Sequence, residues 1–425
     1  MGIGLDFGTT NSSIALAGPN GVVVVKFPYT GGATESFRSL LYLHRLRENG
    51  RNIIKSWSGP AAIDQYLHSD EKGRLVQSLK SFLTSRSLQT TDVFGRRFKL
   101  EELIARILAD IRIGAEKQIG PIAGRIVVGR PVRFVGAESE ADDQYALHRL
   151  KEALGIAGFN EVIFEYEPVG AAYHYESTLD HDELVMIGDF GGGTSDFSLL
   201  RVGPSFRHSG AKRHVIGNEG VGVAGDSFDA RIIRRLVSPA LGAGTDIESG
   251  DKRLPVPNWV YFKLERWHHL SFLKSADTLN MLRNVAAQAL EPEKIKGLLY
   301  LVEHDLGYQL HRAVQRAKTT LSQATRTRFH FSDGDAEIDK ELTRDEFERW
   351  IEEELQEIQD RVDALLSKTG THPNDVDVVF LTGGSSFVPA VRRIFASRFG
   401  PEKIRTGNEF TSVARGLALC AAEPG

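Results

Sequence analysis

The 425-residue sequence predicts an α/β protein of two similar lobes around a cleft, each lobe carrying a smaller subdomain. Three observations lead there. One segment occurs twice in the chain, strand-like and helix-like apolar periods alternate through both halves, and the length suits two lobes of roughly 200 residues each better than one domain.

The repeat is the most informative of the three. Gly4–Leu16 reads GLDFGTTNSSIAL and Gly188–Leu200 reads GDFGGGTSDFSLL. Each copy has an Asp-Phe pair, a run of Gly and Thr, then alternation such as Phe197 and Leu199 on one face. Alternation at period two beyond the turn means a strand, so each copy is a β-hairpin. Two such hairpins in tandem imply two sheets of similar plan, one per lobe. The boundary falls at 183/184, giving lobe I as 1–183 with an insertion at about 36–110, and lobe II as 184–425 with an insertion at about 226–305.

The remaining elements follow in order. Gly2 to Phe7 is a buried first strand, and Arg125–Gly129 (RIVVG) is another. A helix is expected over Ser139–Leu154, with acidic residues in its first turn to suit the helix dipole and Gly155 and Gly158 to end it. Glu161–Tyr166 is the next strand. Thr343-x-x-Glu346 is a capping box opening one long helix, with Phe347, Ile351, Leu355, Ile358 and Val362 as its buried stripe and Gly370 closing it. Asp377–Thr382 is a core strand, Gly383-Gly384-Ser385 a tight turn and Pro389–Phe399 a helix. Residues 238–297 give the least regular pattern, and Trp259 and Trp267 within them are expected in the core.

Composition excludes several classes. Hydrophobic residues at 41% provide for real cores, and a net charge of −4 gives no basic footprint for nucleic acid or an anionic membrane. With Cys420 the single cysteine, the chain can form no internal disulfide or Cys-based zinc site, as expected of a cytoplasmic protein. No stretch reaches the ~20 apolar residues of a membrane span. The start, MGIGLDFGTTNS, lacks the features of a secretory signal, and Asp6 stands where an N-myristoylation motif wants Ser or Thr. His174, His268 and His269 have no metal-ligand spacing.

The two turns carry the chemistry. Successive glycines and small hydroxyl residues let backbone N–H groups point into one concavity that binds phosphate oxygens. Gly8, Thr9, Thr10 and Asn11 on one side and Gly191, Gly192, Gly193 and Thr194 on the other would grip a nucleotide's phosphates. Asp6 and Asp189, each at a strand end before its turn, would hold a hydrated magnesium ion; Asp196 either joins them or caps its turn. A Rossmann fingerprint is ruled out because a strand, not a helix, follows each turn, and GxxxxGK[ST] is absent.

On these residues the chain resembles the actin-like ATPase superfamily, with its ribonuclease H-like lobes, and more closely the heat-shock protein 70 family in its YegD-like branch. The likeness runs from residue 1 to about 422. It implies ATP or ADP with Mg2+ as ligands, and admits K+. It places the family's catalytic lysine on Lys80 in SLKSFL, the switch proline on Pro131, and the glutamate that links metal-bound water to that switch on Glu167. Lys80, Glu167 and the hydroxyls of Thr9 and Thr194 would then hold the attacking water. It also implies that Gly225, Asp226, Lys318, Ser322, Gly383, Gly384, Ser385 and Phe387 line the nucleoside side. Three departures stand out: Thr319 and Phe387 replace two adenine-sandwiching arginines, Gln315 replaces a ribose-binding glutamate, and the relay arginine has only Arg149 as its nearest counterpart. Against the family's usual plan, no peptide-binding domain is expected after the Arg415-Gly416-Leu417 segment.

The reading these residues favour is a slowly hydrolysing, chaperone-like switch that acts through a separate protein partner or client. The alternatives are an actin-like filament or scaffold protein, a nucleotide sensor with little hydrolysis, and a small-molecule kinase, for which no base beside an acceptor pocket is evident.

Overall fold

The computed structural model describes residues 1–48, 51–69, 73–206, 215–265, 273–406 and 411–423. The expectations placed on Trp267, His268 and His269 lie outside them. The chain divides into two compact units: Met1–Gly225 with Glu357–Ser386 and Val391–Gly425, and Asp226–Gln356 with Phe387–Ala390.

The first unit holds both copies of the repeat. In its first sheet, Gly2–Phe7 and Asn11–Gly18 form an antiparallel hairpin, with Gly21–Val24 beyond the second strand. Arg125–Arg130 lies parallel to Gly2–Phe7, and Glu161–Tyr166 lies parallel to Arg125–Arg130. The second sheet repeats the plan. Glu183–Phe190 and Ser195–Val202 form the hairpin, Val215–Val221 extends it, and Val378–Thr382 then Ile404–Thr406 lie parallel on the other side. The duplication seen in the sequence is therefore a duplication of whole sheets. The strands Glu183–Phe190 and Val378–Thr382 read as near-continuous apolar runs, since both faces of these central strands are buried.

Two helices close the unit at glycine-only distances. Ser412–Ala422 packs against both Gly2–Phe7 and Glu167–Glu176. A Cβ on Gly4 would lie 2.2 Å from the Ala418 nitrogen, and one on Gly416 would lie 1.7 Å from the Gly170 carbonyl oxygen. Around residues 36–110 the unit carries a small sheet ordered Arg51–Ser58, Leu40–Glu48, Arg74–Gln77, a helix Gly59–His68, a hairpin Thr90–Val93/Arg96–Lys99 and the helix Leu100–Ile119.

The expected helix at Ser139 is there as Glu140–Ile156, with Ser139 and Asp142 as a capping box. It runs through Gly155 instead of ending there: Gly155 has open space around it and no need of a special conformation, whereas Gly158 at φ +89° turns the chain.

In the second unit, Gly307–Gln323 packs on the hairpin Arg326–Asp333/Ala336–Thr343, and the Thr343/Glu346 capping box is formed. The single long helix expected after it is two. Arg344–Trp350 ends at Ile351 (φ −100°, ψ 14°), and Glu352–Thr369 follows. Phe347, Ile351, Ile358 and Val362 are buried as expected, but Leu355 is only half-buried. Glu354 is buried in its place, 2.6 Å from the Arg231 guanidinium, so an ion pair occupies a position that periodicity assigns to an apolar side chain.

Residues 238–297 form a hairpin, Asp246–Ser249/Lys252–Pro255, and the helices Trp259–Glu265, Ala276–Gln288 and Pro292–Glu303. Trp259 is not in the core. The helix turns Val260, Tyr261 and Leu264 inward and leaves Trp259 41% exposed, with the Lys263 ammonium 5.0 Å from its ring centre. Among the described residues no helix is long and apolar enough to cross a membrane.

Candidate active site

The first turn joins Phe7 to Asn11, and its glycine is required: a Cβ on Gly8 would sit 2.1 Å from the Asn11 carbonyl oxygen. Ser39 N donates to the Thr10 carbonyl, and the Arg38 guanidinium donates to Asn11 Oδ1 at 3.3 Å, so the Thr10–Asn11 end of the turn is held from outside. The second turn, Gly191–Thr194, is closed by Gly191 N donating to the Thr194 carbonyl at 3.0 Å. Gly193 is where the turns meet. A Cβ there would lie 2.8 Å from Val135 Cγ2, 3.3 Å from Thr9 Oγ1 and 3.5 Å from Ser81 Oγ. The structure thus brings the two predicted phosphate turns and the segment bearing Lys80 to one place.

Lys80 sits in a short 3-10 turn, Leu79–Phe82. It is buried, and its Nζ donates to Glu167 Oε1 at 2.6 Å. Glu167 begins the helix Glu167–Glu176, with Pro168 next, so it is a first-turn acid on a helix dipole and not merely a strand-end residue. Asp6 is next to last in the first strand, opposite Ser13, and Asp189 lies opposite Asp196 across the second hairpin and beside Thr382 on the parallel strand. Asp196 Oδ1 accepts from the amides of Val132 and Arg133 at 2.8 and 3.4 Å. It therefore caps the chain that follows Pro131, while the Thr194 side chain bonds it from its own turn.

The cluster holds four carboxylates against one ammonium, and their electrostatics reflect it. Asp6 is pushed up from 3.8 to about 7, first by desolvation and then by the Glu167 charge, with Lys80 pulling the other way. Asp196 is pushed up to about 7 for the same two reasons, opposed by bonds from Thr194 and the two amides. Asp189 is raised well above 3.8 by burial, then by Glu167, Asp6 and Asp196. Such groups favour a cation among them. No three His, Cys, Asp or Glu among the described residues are close enough to ligate a metal directly. The donor set therefore fits a hydrated divalent ion, reached through water, and not a dehydrated one.

The raised carboxylates set a pH dependence. A folded pKa above the unfolded one lowers stability as pH rises between the two, so the nucleotide-free protein should lose stability between about pH 4 and pH 7 as Asp6 and Asp196 ionise. Asp189→Asn should accordingly stabilise the nucleotide-free protein at pH 8, because it removes a buried carboxylate that burial and the neighbouring Glu167, Asp6 and Asp196 disfavour in its charged form, and thermal unfolding reads the rise.

The residues expected on the nucleoside side fall in both units. In the first unit, Gly225 N donates to the Gly191 carbonyl at 3.4 Å, tying its helix start to the second turn. Gly383 (φ +82°) follows Thr382 on the strand beside Asp189, and a Cβ there would lie 2.1 Å from the Phe190 carbonyl oxygen. Gly384 and Ser385 continue into a 3-10 turn. In the second unit, Asp226 is half-buried on the helix Gly225–Ile232. Lys318 pairs with the buried Asp229 at 2.7 Å, and the Ser322 hydroxyl donates back to the Lys318 carbonyl. Phe387 is 37% exposed and Thr319 is exposed on its helix.

Sequence reasoning missed the partners. The resemblance placed Lys80 and Glu167 about one water, but nothing showed that they would pair directly, that Asp196 would hold Val132 and Arg133, or that Arg149 would be buried beside the lysine turn. These are contacts between segments far apart in sequence, which the residue pattern does not register.

The chain matches the family model described as Hsp70 protein over residues 55–254 and 298–423, more than half its length. It is 28% identical over 424 residues to a Chaperone protein DnaK of Thermosipho melanesiensis, covering 99% of this chain and 59% of that protein. A Chaperone protein DnaK of Thermosipho africanus is 27% identical over 422 residues, 99% of this chain and 58% of that protein. One from Thermus thermophilus is 26% identical over 330 residues, 78% of this chain and 44% of that protein. The protein belongs to the Hsp70 family, and its fold is the actin-like ATPase fold of that family. It spans less than two thirds of the length of these relatives.

Proposed function

We propose that the protein binds ATP with magnesium at the cluster of Asp6, Asp189, Asp196, Lys80 and Glu167, hydrolyses it slowly, and uses the nucleotide state as a chaperone-type switch. The observation that carries this reading is the meeting of both phosphate turns with the buried Lys80–Glu167 pair, among three aspartates of raised pKa. Family membership supports the same ligand class.

Magnesium would supply the positive charge that the carboxylate cluster lacks, and ATP the phosphoryl group to be transferred. The chain's own groups account for the rest. Amides of the two turns bind phosphate oxygens and stabilise charge there. Lys80 Nζ and Glu167 Oε1 hold and orient a water molecule, with the Thr9 and Thr194 hydroxyls beside it. Asp6 and Asp189 hold the hydrated ion, and Asp196, by fixing the amides after Pro131, connects the second hairpin to the proline segment. Gly225, Asp226, Gly383, Gly384 and Ser385 receive the nucleoside, Lys318 and Ser322 contact the ribose, and Phe387 offers an aromatic face to the base. With Thr319 in place of a stacking guanidinium, base selection rests on fewer contacts than in family members that carry both arginines.

We place the protein in the cytoplasm, acting through a separate protein partner or client, with affinity to the YegD-like branch of the family and K+ as an accessory ion. Turnover of ATP to ADP by purified protein with magnesium and potassium tests this reading, together with sedimentation in ATP. Slow turnover without ATP-dependent pelleting is the expected result. Filaments that pellet with ATP would replace the switch by an assembling scaffold, and tight binding without turnover would leave a nucleotide sensor.

A further inference from the structure

The turn that carries Lys80 is short and has an unusual entry. Ser78, just before it, is buried and lies in the left-handed region at φ 52°, a conformation that persists only where the surroundings enforce it. After the turn the chain runs from Phe82 to Leu88 without a regular element. Such a stretch would ordinarily leave carbonyls for water to satisfy and would move with its surroundings.

One side chain takes up those carbonyls. Arg149, on the helix Glu140–Ile156, is buried, and its guanidinium donates to the backbone oxygens of Phe82, Leu83, Ser85 and Leu88 at 3.3, 3.3, 3.0 and 3.1 Å. Its Nε donates to Glu101 Oε1, a buried carboxylate in the first turn of Leu100–Ile119. Three nitrogens in a fixed plane thus meet one carboxylate and four carbonyls, with the two hydrogens of Nη1 shared among Phe82, Leu83 and Ser85, a spread that a lysine ammonium cannot reproduce.

The same helix also holds the proline segment. Asp143 Oδ1 accepts from Phe134 N at 2.8 Å, and Thr84 Oγ1 donates to the Val135 carbonyl at 2.7 Å. The lysine turn and the segment after Pro131 are therefore fixed against one rigid element, and both end on the cluster of Lys80, Glu167 and Asp196.

We propose that Arg149, anchored by Glu101, is a positioning residue for Lys80: it fixes the segment 79–88 so that the Lys80 ammonium stays on Glu167. The proposal rests on the reading of Lys80 as the group that orients the attacking water. Arg149 touches neither the site nor its ligands and acts through the backbone it holds.

The test uses the full chain with Arg149→Lys and Glu101→Gln, variants that keep the site volume filled and avoid leaving a bare buried carboxylate. Hydrogen exchange by mass spectrometry is followed across 79–88, alongside kcat, the ATP dissociation constant and the melting temperature. Arg149→Lys should accelerate exchange in 79–88 selectively and lower kcat on the order of tenfold or more, because small misplacements of a reacting group are costly. ATP affinity should be unchanged. Glu101→Gln should move the same two readouts in the same direction by less. Unaltered exchange in 79–88 would overturn the proposal, as would exchange that rises evenly through the protein with kcat falling only in step with melting. If the wild type shows no turnover, the reading of Lys80 fails separately, and the exchange of 79–88 still decides whether Arg149 holds the turn.

Discussion

Lys80→Ala is expected to lower ATP turnover by on the order of a hundredfold while ATP binding is retained. The reason lies in position. The ammonium is buried, 2.6 Å from Glu167, and its turn adjoins Gly193 and Thr9, where the two phosphate turns meet. A group placed there acts on the water and the phosphoryl oxygens and not on the nucleoside, so its loss should fall on kcat more than on affinity. The substitution also leaves Glu167 without its cation beside three aspartates, which destabilises the nucleotide-free protein. Melting temperature and ATP affinity measured beside turnover separate the two effects: turnover that stays low well below the melting temperature, with ATP bound, is a chemical loss. Full turnover in Lys80→Ala would exclude a catalytic role for the lysine.

Gly416→Ala should cost about 3 kcal/mol or more of stability. The added Cβ would lie 1.7 Å from the Gly170 carbonyl oxygen and 2.9 Å from the His174 nitrogen, both backbone atoms with no rotamer to relax into. The helices Ser412–Ala422 and Glu167–Glu176 would have to separate, and the second of these begins with Glu167. Catalysis should therefore fall with stability. By contrast, Gly155→Ala, on the open face of Glu140–Ile156, should be neutral or slightly stabilising, because nothing lies within 4 Å of the new methyl and alanine favours the helix. Denaturant unfolding of both variants checks the contrast, and equal stabilities would contradict the packing described.

The sequence made the phosphate turns legible because their chemistry is local. Gly8 and the Gly191–Gly193 run are needed for close backbone approach, the aspartates precede them at one offset, and duplication at Gly188–Leu200 doubled the signal. The strand Glu161–Tyr166 and the helix Pro389–Phe399 were legible in the same way, from apolar period and flanking turn residues. What stayed hidden depends on contacts between distant segments. Ile351 breaks a helix with no proline or glycine to announce it, and Glu354 is buried because Arg231, far away in sequence, is there to meet it. Trp259 looks like a core residue by type, yet the register of its helix turns Val260, Tyr261 and Leu264 inward instead. Arg149 reads as one arginine among many until the four carbonyls it serves are folded around it. Side-chain type predicts burial only on average, and pairing is a property of the fold.

The central claim, that this cluster is an ATP site that depends on a cation, is tested most directly by isothermal titration calorimetry. ATP and ADP are titrated into the wild-type protein and into Asp189→Asn, each with magnesium and with a chelator present. The account predicts saturable binding of both nucleotides to the wild type, weakened when magnesium is withdrawn, and an Asp189→Asn variant that melts no lower than the wild type but no longer responds to magnesium. Absence of nucleotide binding by the folded wild-type protein, or binding indifferent to both magnesium and Asp189, would contradict it.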